Sequence, residues 1–208
     1  IKIPFDRFCE FMGYWLSDGS TMGNAGVVIS QQEGEPARDR IVNCVKRIGF
    51  EPHLDKQEVA FYSTPIRNYL KIFGKCSHKF IPSAIKNASV RQIRIFLNAF
   101  MLCDGYRQPC KSFVGNHGTE FKSDKDEILY FTVSERMAGD LSELILKSGN
   151  RPSFSVNKAG VSHKSNGSII TSNYDCYSIR ECYSVTSTVF HKEIQHYDGF
   201  VYVPQVAR

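Results

Sequence analysis

The fold of this chain is set by two similar stretches, FMGYWLSDG at residues 11–19 and LNAFMLCDG at residues 97–105. Each is an apolar run that ends in Asp-Gly and carries two small residues four positions apart. These are Gly13 and Ser17 in the first stretch and Ala99 and Cys103 in the second. A spacing of four puts both on one helix face, so each stretch predicts a helix that can approach another helix closely. Because glycine tolerates the left-handed backbone that often ends a helix, we expect left-handed C-caps at Gly19 and Gly105.

Both predicted helices end in an aspartate, which is an unfavourable choice. Asp18 and Asp104 lie at the negative end of a helix dipole, where lysine or arginine would be favoured. If the helices pack side by side and parallel, the two carboxylates meet and repel each other, and one of them takes up a proton unless a cation lies between them. A hard divalent cation with oxygen ligands removes this conflict. The pattern therefore indicates a metal site at the shared end of the helices.

The two stretches resemble the paired LAGLIDADG (dodecapeptide) motifs of homing endonucleases, most closely the form found inside inteins. Leu16 and Leu102 stand where the family consensus has its first acidic residue, and intein-type copies often carry an apolar residue there. The acidic residue that matters in the family corresponds to Asp18 and Asp104. The resemblance implies an α+β fold of two pseudo-symmetric αββαββα half-domains, joined at parallel LAGLIDADG helices and carrying saddle-shaped antiparallel sheets.

The order of predicted elements repeats along the chain. We expect a first half-domain at residues 1–88, a second at 89–190 and a terminal strand at 191–208. Helices are predicted at about residues 6–17 with Asp6 as N-cap, at 36–48 and 65–72, from Ser89 through the second motif, and from Ser134 to Gly149. Strands are predicted at about residues 24–32, 51–55, 58–63, 110–114, 127–133, 152–157 and 174–180. The polar segment 158–173 is predicted to be a mobile loop.

Length and composition are ordinary for a soluble globular protein. The 208 residues can form one large domain or two of about 100 residues, and 42% of them are apolar and 23% charged. A net charge of +5 permits a polyanionic partner without requiring one. Seven cysteines without a Cys-x-x-Cys pair indicate reduced thiols in an intracellular protein, in the cytoplasm or the nucleus. No signal peptide or membrane-spanning run is present, and a start at Ile1 suggests a piece of something longer.

A lysine upstream of the second motif is a further candidate. Residues 74–82, GKCSHKFIP, resemble the segment before the second motif of intein endonucleases, where a lysine that lies at the active site precedes Ile-Pro by one residue. That lysine corresponds to Lys79. The second half should supply a matching basic residue near the end of its last strand, but the sequence has Arg180 there and no lysine. Lys158 and Lys164 are the remaining candidates for this role.

The resemblance implies a site-specific endonuclease that hydrolyses one phosphodiester on each strand of double-stranded DNA, across the minor groove. The implied cofactor is Mg²⁺ or another divalent cation, held at Asp18 and Asp104 together with the neighbouring Gly19 and Gly105. Metal would polarise the phosphate and help to generate hydroxide. Lys79 would stabilise charge or orient the water. The expected partner is a long specific DNA site, bound by a monomer.

Contacts to DNA are expected on strands and loops beyond the motifs, because a twisted sheet can follow the major groove and offer a side chain at every second position. The candidates are Ser30, Gln31, Gln32, Lys56, Arg107 and Lys111, with Lys158 and Lys164 in the segment predicted as a loop. Lysine and arginine at these positions would mostly hold phosphates, whereas glutamine and arginine could read base edges. A solvated polar strand face is the alternative reading of each one.

Other readings of the whole chain stay open on the sequence. The tail at 191–208 resembles the strand by which inteins return to their splicing domain, but the splicing residues at the two ends are missing. A non-cleaving, maturase-like protein of the same fold, binding DNA or RNA, would keep the two motifs without the activity. A basic α+β interaction module would use the two Asp-Gly pairs only as helix ends.

Overall fold

The computed structural model describes residues 2–109, 113–114, 120–121, 126–163, 169–183 and 198. Its helices are α1 (Phe5–Asp18), α2 (Arg38–Arg47), α3 (Thr64–Leu70), α4 (Ser83–Lys86), α5 (Val90–Asp104) and α6 (Glu135–Lys147). Short 3-10 turns at Lys71–Phe73 and Cys76–His78 lie between α3 and α4. Apart from position 198, the predicted terminal strand at 191–208 lies outside the described residues.

The strands of the first sheet are β1 (Gly19–Met22), β2 (Gly26–Ser30), β3 (His53–Leu54) and β4 (Glu58–Tyr62). Those of the second sheet are β5 (Gly105–Gln108), β8 (Glu127–Thr132), β9 (Arg151–Asn157) and β12 (Cys176–Cys182). Two hairpins complete the described strands: β6 (Phe113–Val114) with β7 (Glu120–Phe121), and β10 (Gly160–His163) with β11 (Ile169–Ser172).

The two four-stranded sheets are antiparallel and have the same topology. Their strand orders are β1-β2-β4-β3 and β5-β8-β12-β9, so in each sheet the fourth strand along the chain lies between the second and the third. Within the described residues, α1 to α3 with the first sheet give the order αββαββα. In the second half, α5, α6 and the second sheet repeat that order as far as the fourth strand. This pseudo-symmetry confirms the predicted α+β fold class.

The two motif helices, α1 and α5, run parallel. At their amino-terminal ends, the Asp6 carboxylate accepts bonds from Arg91 at 2.6 Å and from the Gln92 side chain at 2.9 Å. At their carboxyl-terminal ends, Asp18 and Asp104 line one cleft. The prediction that Asp6 is the N-cap of α1 is wrong. The helix begins one residue earlier, at Phe5, and the Asp6 carboxylate is bonded to residues of α5 instead.

Small residues let the two helices approach closely, as the sequence predicts. A Cβ atom on Gly13 would lie 2.6 Å from the Cβ of Ala99 and 2.6 Å from the main-chain oxygen of Phe96, which is far inside contact distance. Four residues further along α1, the Ser17 hydroxyl donates a bond to the carbonyl of Gly13 at 3.1 Å. This side chain is therefore held against its own helix. The interface is buried, because Gly13 is buried and Ala99 and Phe96 are 2% and 0% exposed.

Elsewhere the pseudo-symmetry is broken inside the core. Counted along the strand register, Glu181 occupies the position in the second sheet that Phe61 occupies in the first. Phe61 packs on Phe50, with ring centroids 4.8 Å apart. Glu181 is 0% exposed, forms an ion pair with Arg94 and accepts a bond from the Tyr130 hydroxyl at 2.8 Å. Burying this carboxylate is possible because its oxygens are paired.

Two further expectations about local structure are wrong. The first is the left-handed cap at each motif, because φ is −86° at Gly19 and −142° at Gly105, both extended. The second is the loop at 158–173, whose described residues form the hairpin of β10 and β11. Its β-branched residues, among them Val161 and Ile169, favour strands despite the surrounding serines and glycines. No helix in the described ranges is both long and apolar enough to span a membrane.

Replacement by alanine is expected to have opposite effects on stability at two glycines, one inside the helix contact and one outside it. Gly13→Ala should lower the free energy of unfolding by about 1–3 kcal/mol, because the new methyl group meets backbone that cannot move cheaply. Gly139→Ala in α6 has nothing within 4 Å of the new methyl and should raise stability by up to about 1 kcal/mol through helix propensity. Urea denaturation of both variants measures the difference. A Gly13→Ala protein as stable as the wild type would contradict the close approach.

Candidate active site

One cleft of about 550 Å³ lies where the motif helices end. Asp18 and Asp104 both line it, so the structure brings together the two acidic residues that the motifs predict. Both four-stranded sheets contribute walls. The first supplies Ser20, Thr21 and Ser30, and the second supplies Phe131, Thr132 and Cys176. Lys79 also lines the cleft, which therefore collects the predicted acidic pair and the predicted lysine in one place.

The glycine after each aspartate has a steric reason. The chain passes directly from α1 into β1 and from α5 into β5 at these glycines. A Cβ on Gly19 would lie 2.3 Å from the carbonyl oxygen of Trp15, and one on Gly105 would lie 2.6 Å from that of Met101. Only a residue without a side chain can turn so tightly here. The turn places each preceding aspartate directly before the first strand of its sheet.

The Asp18 carboxylate is shielded from solvent but has polar partners. Its burial raises its pKa, and three neighbours act against that rise: the side chain of Gln31, the ammonium of Lys79 and the thiol of Cys103. The amide nitrogen of Gln31 donates a bond to Asp18 Oδ2 at 2.6 Å. Asp18 is therefore stabilised by a donor that comes from the end of a strand, outside both motifs.

The Asp104 carboxyl is in a less favourable setting. Burial and, to a smaller extent, the charge of Asp18 raise its pKa from 3.8 to about 7, and among the described residues only Lys79 acts to lower it. Two carboxyl groups in one poorly solvated cleft therefore share a single buried cation from the described part of the chain. This arrangement can hold a proton between them near neutral pH or accept an added cation.

Lys79 is almost fully buried, with 7% of its surface exposed. Its Nζ donates to the carbonyl oxygens of Trp15 at 3.2 Å, Ser17 at 3.2 Å and Gly19 at 2.8 Å. It thus caps the last turn of α1 and supplies positive charge at the end where the helix dipole is negative. Burial lowers its pKa to about 8, although the charges of Asp104 and Asp18 act in the opposite direction.

The main chain around Lys79 is held by α6 of the second half. The Ser134 hydroxyl donates to the Lys79 carbonyl at 2.6 Å, and the amide of Ile81 donates to the Asp140 carboxylate at 2.8 Å. Between these two bonds, the Arg136 guanidinium lies 3.8 Å from the ring centroid of Phe80. Lys79 therefore joins the two halves, since its side chain binds α1 and its backbone binds α6.

Gln31 has a role that the sequence reading did not give it. The sequence offered it as a DNA contact, whereas the structure places its amide on Asp18. Arg38, at the start of α2, donates to the main-chain oxygens of both Gln31 and Asp55 and so fixes the segment after β2. The only sequence signal for this role is that Gln31 directly follows a strand that starts near the motif.

Among its described residues, the second half offers no matching amide at Asp104. The glycine after each motif aspartate pairs with Ile29 in the first sheet and with Tyr130 in the second. Two residues beyond these partners stand Gln31 and Thr132. Thr132 lines the cleft, but its side chain is shorter and accepts a bond from the Ser134 amide at 3.1 Å. The two carboxylates therefore have unequal surroundings.

The remaining predicted basic residues lie away from the cleft lining. Arg180 is exposed and lies 3.5 Å from Glu127, while Lys158 is exposed and lies 2.8 Å from Asp175. Neither lines the cleft. The structure therefore does not bring either one to the acidic pair. Lys164, the third candidate for this role, lies outside the described residues.

The predicted DNA contacts divide in the same way. Ser30 lines the cleft, and Gln32 and Lys56 are exposed beyond it. Arg107 lies 3.9 Å from Asp126 near the outer end of β5. Lys111 lies outside the described residues.

The donors present suit a hard cation only in part. Among the described residues, no group of three or more His, Cys, Asp or Glu side chains could hold a metal ion. Asp18 and Asp104 alone offer carboxylate oxygens in the cleft. The carbonyl of Gly19 already accepts from Lys79 but keeps a second lone pair. A cation here would take two carboxylates and complete its shell with backbone oxygen, water or substrate, as Mg²⁺ commonly does.

Comparison with solved structures gives the same architecture. A variant of the homing endonuclease I-DmoI, in complex with its target DNA in 2 mM Mg, matches with a TM-score of 0.51 and 12% identity, over 85% of this chain and 89% of that chain. A second I-DmoI variant, with target DNA in 2 mM Mn, matches with a TM-score of 0.50 and 11% identity, over 85% and 87% of the two chains. WhiA from Thermatoga maritima gives a TM-score of 0.48 and 12% identity, over 88% and 54%.

Sequence comparison is less informative. No protein-family model matches the chain. A curated relative, the ATP-dependent Clp protease proteolytic subunit of Chlamydomonas moewusii, is 25% identical over 172 residues. That alignment covers 76% of this chain but only 16% of the relative's length. The paired motif helices, the repeated sheet topology and the structural match together give this chain the LAGLIDADG fold.

The setting of Asp104 predicts an unusual pH dependence of the metal-free protein in EDTA. Because its pKa is raised from 3.8 to about 7 on folding, the folded state holds this proton more tightly than the unfolded chain does. Its stabilisation is complete below about pH 4 and is lost as the pH rises through 7. Relative to Asp104→Asn, the wild-type free energy of unfolding should fall by a few kcal/mol between about pH 4 and pH 8.

Urea denaturation of both proteins at each pH measures this difference, and subtracting the variant cancels the contributions of the carboxyl groups that do not interact with Asp104. A difference that stays constant with pH would mean that Asp104 is not held in a poorly solvated, anionic setting.

Proposed function

We propose that this chain is a site-specific endonuclease that cuts both strands of duplex DNA. The observation that carries the proposal is the pair Asp18 and Asp104, which are half-buried together at a cleft with the buried Lys79. In a purely structural role, the pair would cost stability at neutral pH and gain nothing. Two such carboxylates that face a phosphodiester could instead hold a cation, whose positive charge the hydrolysis needs.

The rival of the same fold is a non-cleaving, maturase-like protein that binds DNA or RNA. Such a protein needs the sheets but has no use for an acidic pair at disfavoured helix ends. The partial burial of Asp104, with Lys79 as the sole described residue that lowers its pKa, supports cleavage over this rival. A basic interaction module of another kind is disfavoured by the repeated topology and the shared cleft.

The proposed cofactor is Mg²⁺ or another divalent cation. Asp18 and Asp104 would hold it, with the backbone at Gly19 and Gly105 beside them. When bound, the cation supplies Lewis-acid charge at the scissile phosphate. The structures of I-DmoI with its target DNA were obtained with Mg or Mn, which is consistent with this assignment.

The chain's own residues would orient the reacting groups. Gln31 keeps Asp18 in place through its 2.6 Å bond to Oδ2. Lys79, with a pKa of about 8, can hold a proton at Nζ near the phosphate and release it as the pH rises. For the second half, Arg180, Lys158 and Lys164 remain the proposed sources of positive charge, and Arg180 and Lys158 would act from outside the cleft lining.

The proposed DNA surface is the side of both sheets that opens from the cleft. Ser30 stands at the cleft and Gln32 lies just beyond it, so both are proposed to reach bases or the sugar-phosphate chain near the scissile bonds. Lys56, Arg107 and Lys111 are proposed phosphate contacts further out. A net charge of +5 favours association with a polyanion.

Cleavage of a plasmid library tests the proposal. Plasmids with random inserts, incubated with the protein and Mg²⁺, should yield a rare linear product that disappears in EDTA. Asp18→Asn and Asp104→Asn should each lower the cleavage rate by more than about 100-fold, because each removes a charge that holds the cation. Binding of the recovered site should stay within a few-fold of wild type.

Asp39→Asn is the matched control, since it makes the same chemical change on an exposed residue of α2 and should leave cleavage unchanged. Salt-sensitive binding without any cut would favour the maturase-like alternative. No affinity for DNA even at low salt would overturn the proposal.

We further propose that the endonuclease is embedded in a larger host protein, as intein endonucleases are. The support is the motif resemblance together with the relative from Chlamydomonas moewusii, which is named for a proteolytic subunit and of which this chain matches only 16%. A unit inserted into an unrelated host would give a match of that kind. The residues 191–208 would then lead back toward a splicing domain.

Immunoprecipitation from source cells with an antibody against this chain checks that context. We expect a product larger than 23.6 kDa whose peptides extend beyond both ends of the 208 residues. Recovery of the 23.6 kDa chain alone would contradict it.

A further inference from the structure

The ammonium group of Lys79 has no hydrogen-bond donor left for a substrate. A lysine carries three N–H donors. All three are used, because Nζ donates to the carbonyl oxygens of Trp15, Ser17 and Gly19 at 3.2, 3.2 and 2.8 Å. These bonds hold the side chain against the end of α1. Lys79 can therefore act on a bound phosphate through its charge, but a direct bond to the phosphate would require one of the three bonds to break.

A second lysine lines the same cleft. Lys75 contributes to the cleft wall together with its neighbours Gly74 and Cys76. Of the described residues that line the cleft, Lys75 and Lys79 are the only basic ones. Lys75 is exposed, and it forms no ion pair with a carboxylate of the described residues. It is therefore the cation that a phosphate in the cleft can reach without displacing a bond inside the protein.

The backbone on both sides of Lys75 has an unusual conformation. The φ angle is +76° at Gly74 and +41° at Cys76, and Cys76 is the only described residue other than glycine with a positive φ. Such a conformation is strained for a cysteine, and strain of this kind is often found at functional sites. A Cβ on Gly74 would also lie 2.9 Å from the Cβ of His78. The chain therefore enters and leaves Lys75 in one constrained direction.

Aromatic packing closes the base of this turn. The rings of Phe73 and Phe80, one before the turn and one after it, have centroids 5.2 Å apart. Phe73 is 2% exposed and packs edge-on against Trp15 of α1, with centroids 6.5 Å apart. Within the turn, the amide of His78 donates to the carbonyl of Lys75 at 2.9 Å. Lys75 therefore lies on a short turn that is anchored to the core beside α1.

We propose that Lys75 binds a phosphate of the DNA strand in the cleft, next to the scissile bond, and that the strained turn presents its ammonium there. The inference rests on the proposed endonuclease function and adds a residue that contacts the substrate directly. Asp18 and Asp104 repel an approaching phosphate, and an exposed cation in the same cleft offsets that repulsion. The two lysines then have separate roles, since Lys79 caps α1 and Lys75 pairs with an anion from outside the protein.

Binding of duplexes that the wild-type protein selects from a random library in EDTA measures this contact. At 0.1 M salt, Lys75→Ala should weaken binding about five- to tenfold and lower the slope of log K against log salt by about 1, because one phosphate contact is lost. Lys75→Arg keeps the charge and should keep the wild-type slope. Lys71→Ala is the matched control, because Lys71 is an exposed lysine four residues earlier that does not line the cleft. It should change neither quantity.

Duplexes with a neutral methylphosphonate at a single position locate the phosphate. Replacement of the contacted phosphate should weaken wild-type binding by the same factor as Lys75→Ala does. At that position, Lys75→Ala should cause no further loss, since the two changes remove one interaction. We expect the position to flank a scissile bond, because Lys75 shares its cleft with Asp18 and Asp104.

Three outcomes would overturn the inference. Equal affinity and equal salt slope for Lys75→Ala and Lys71→Ala, in a protein that cuts the selected duplex in Mg²⁺, would remove the contact and leave the proposed endonuclease intact. A loss in Lys75→Ala that no single methylphosphonate reproduces would show that Lys75 does not act on one phosphate. Absence of DNA affinity, or selected duplexes that are never cut in Mg²⁺, would overturn the proposed function together with the inference that rests on it.

Discussion

The close contact of α1 with α5 is the constraint on which the rest of this structure depends. Gly13 has no side chain and lies against Ala99 and the backbone of Phe96, so two helices of ordinary diameter can run parallel at short separation. Parallel packing brings their carboxyl-terminal ends together. The acidic residues Asp18 and Asp104 then share one cleft, and the first strand of each sheet starts beside it. A wider or antiparallel contact would separate the two carboxylates, and the function that we propose would be lost.

That contact creates an electrostatic problem, which residues outside the two motif helices partly relieve. Lys79 caps α1 and its positive charge acts on both carboxylates, and Gln31 donates to Asp18. Each comes from a segment that another element holds in place, α6 in one case and Arg38 in the other. Asp104 receives less help, and its pKa stays near 7. An added cation would supply the positive charge that the protein's own residues do not supply at Asp104.

Internal repetition fixes the backbone but not the side chains. Phe61 in one core corresponds to the buried Glu181 in the other, and the donor Gln31 corresponds to Thr132. A backbone of pleated strands accepts either kind of residue as long as apolar groups are packed and buried polar groups are bonded. The two halves can therefore share a fold while they differ at the cleft and on the faces that open from it.

The sequence by itself determined the two motif helices, the acidic pair and the repeated order of helices and strands, because each depends on local spacing and composition. Lys79 was indicated only by the resemblance of its segment to that of intein endonucleases. It did not give the strands that follow Gly19 and Gly105, where a steric collision, not a left-handed turn, requires glycine. The bond from Gln31 to Asp18 and the burial of Glu181 were equally hidden. They were decided by tertiary structure, because hydrogen-bond partners far apart in the chain meet only once both sheets have packed against the helix pair.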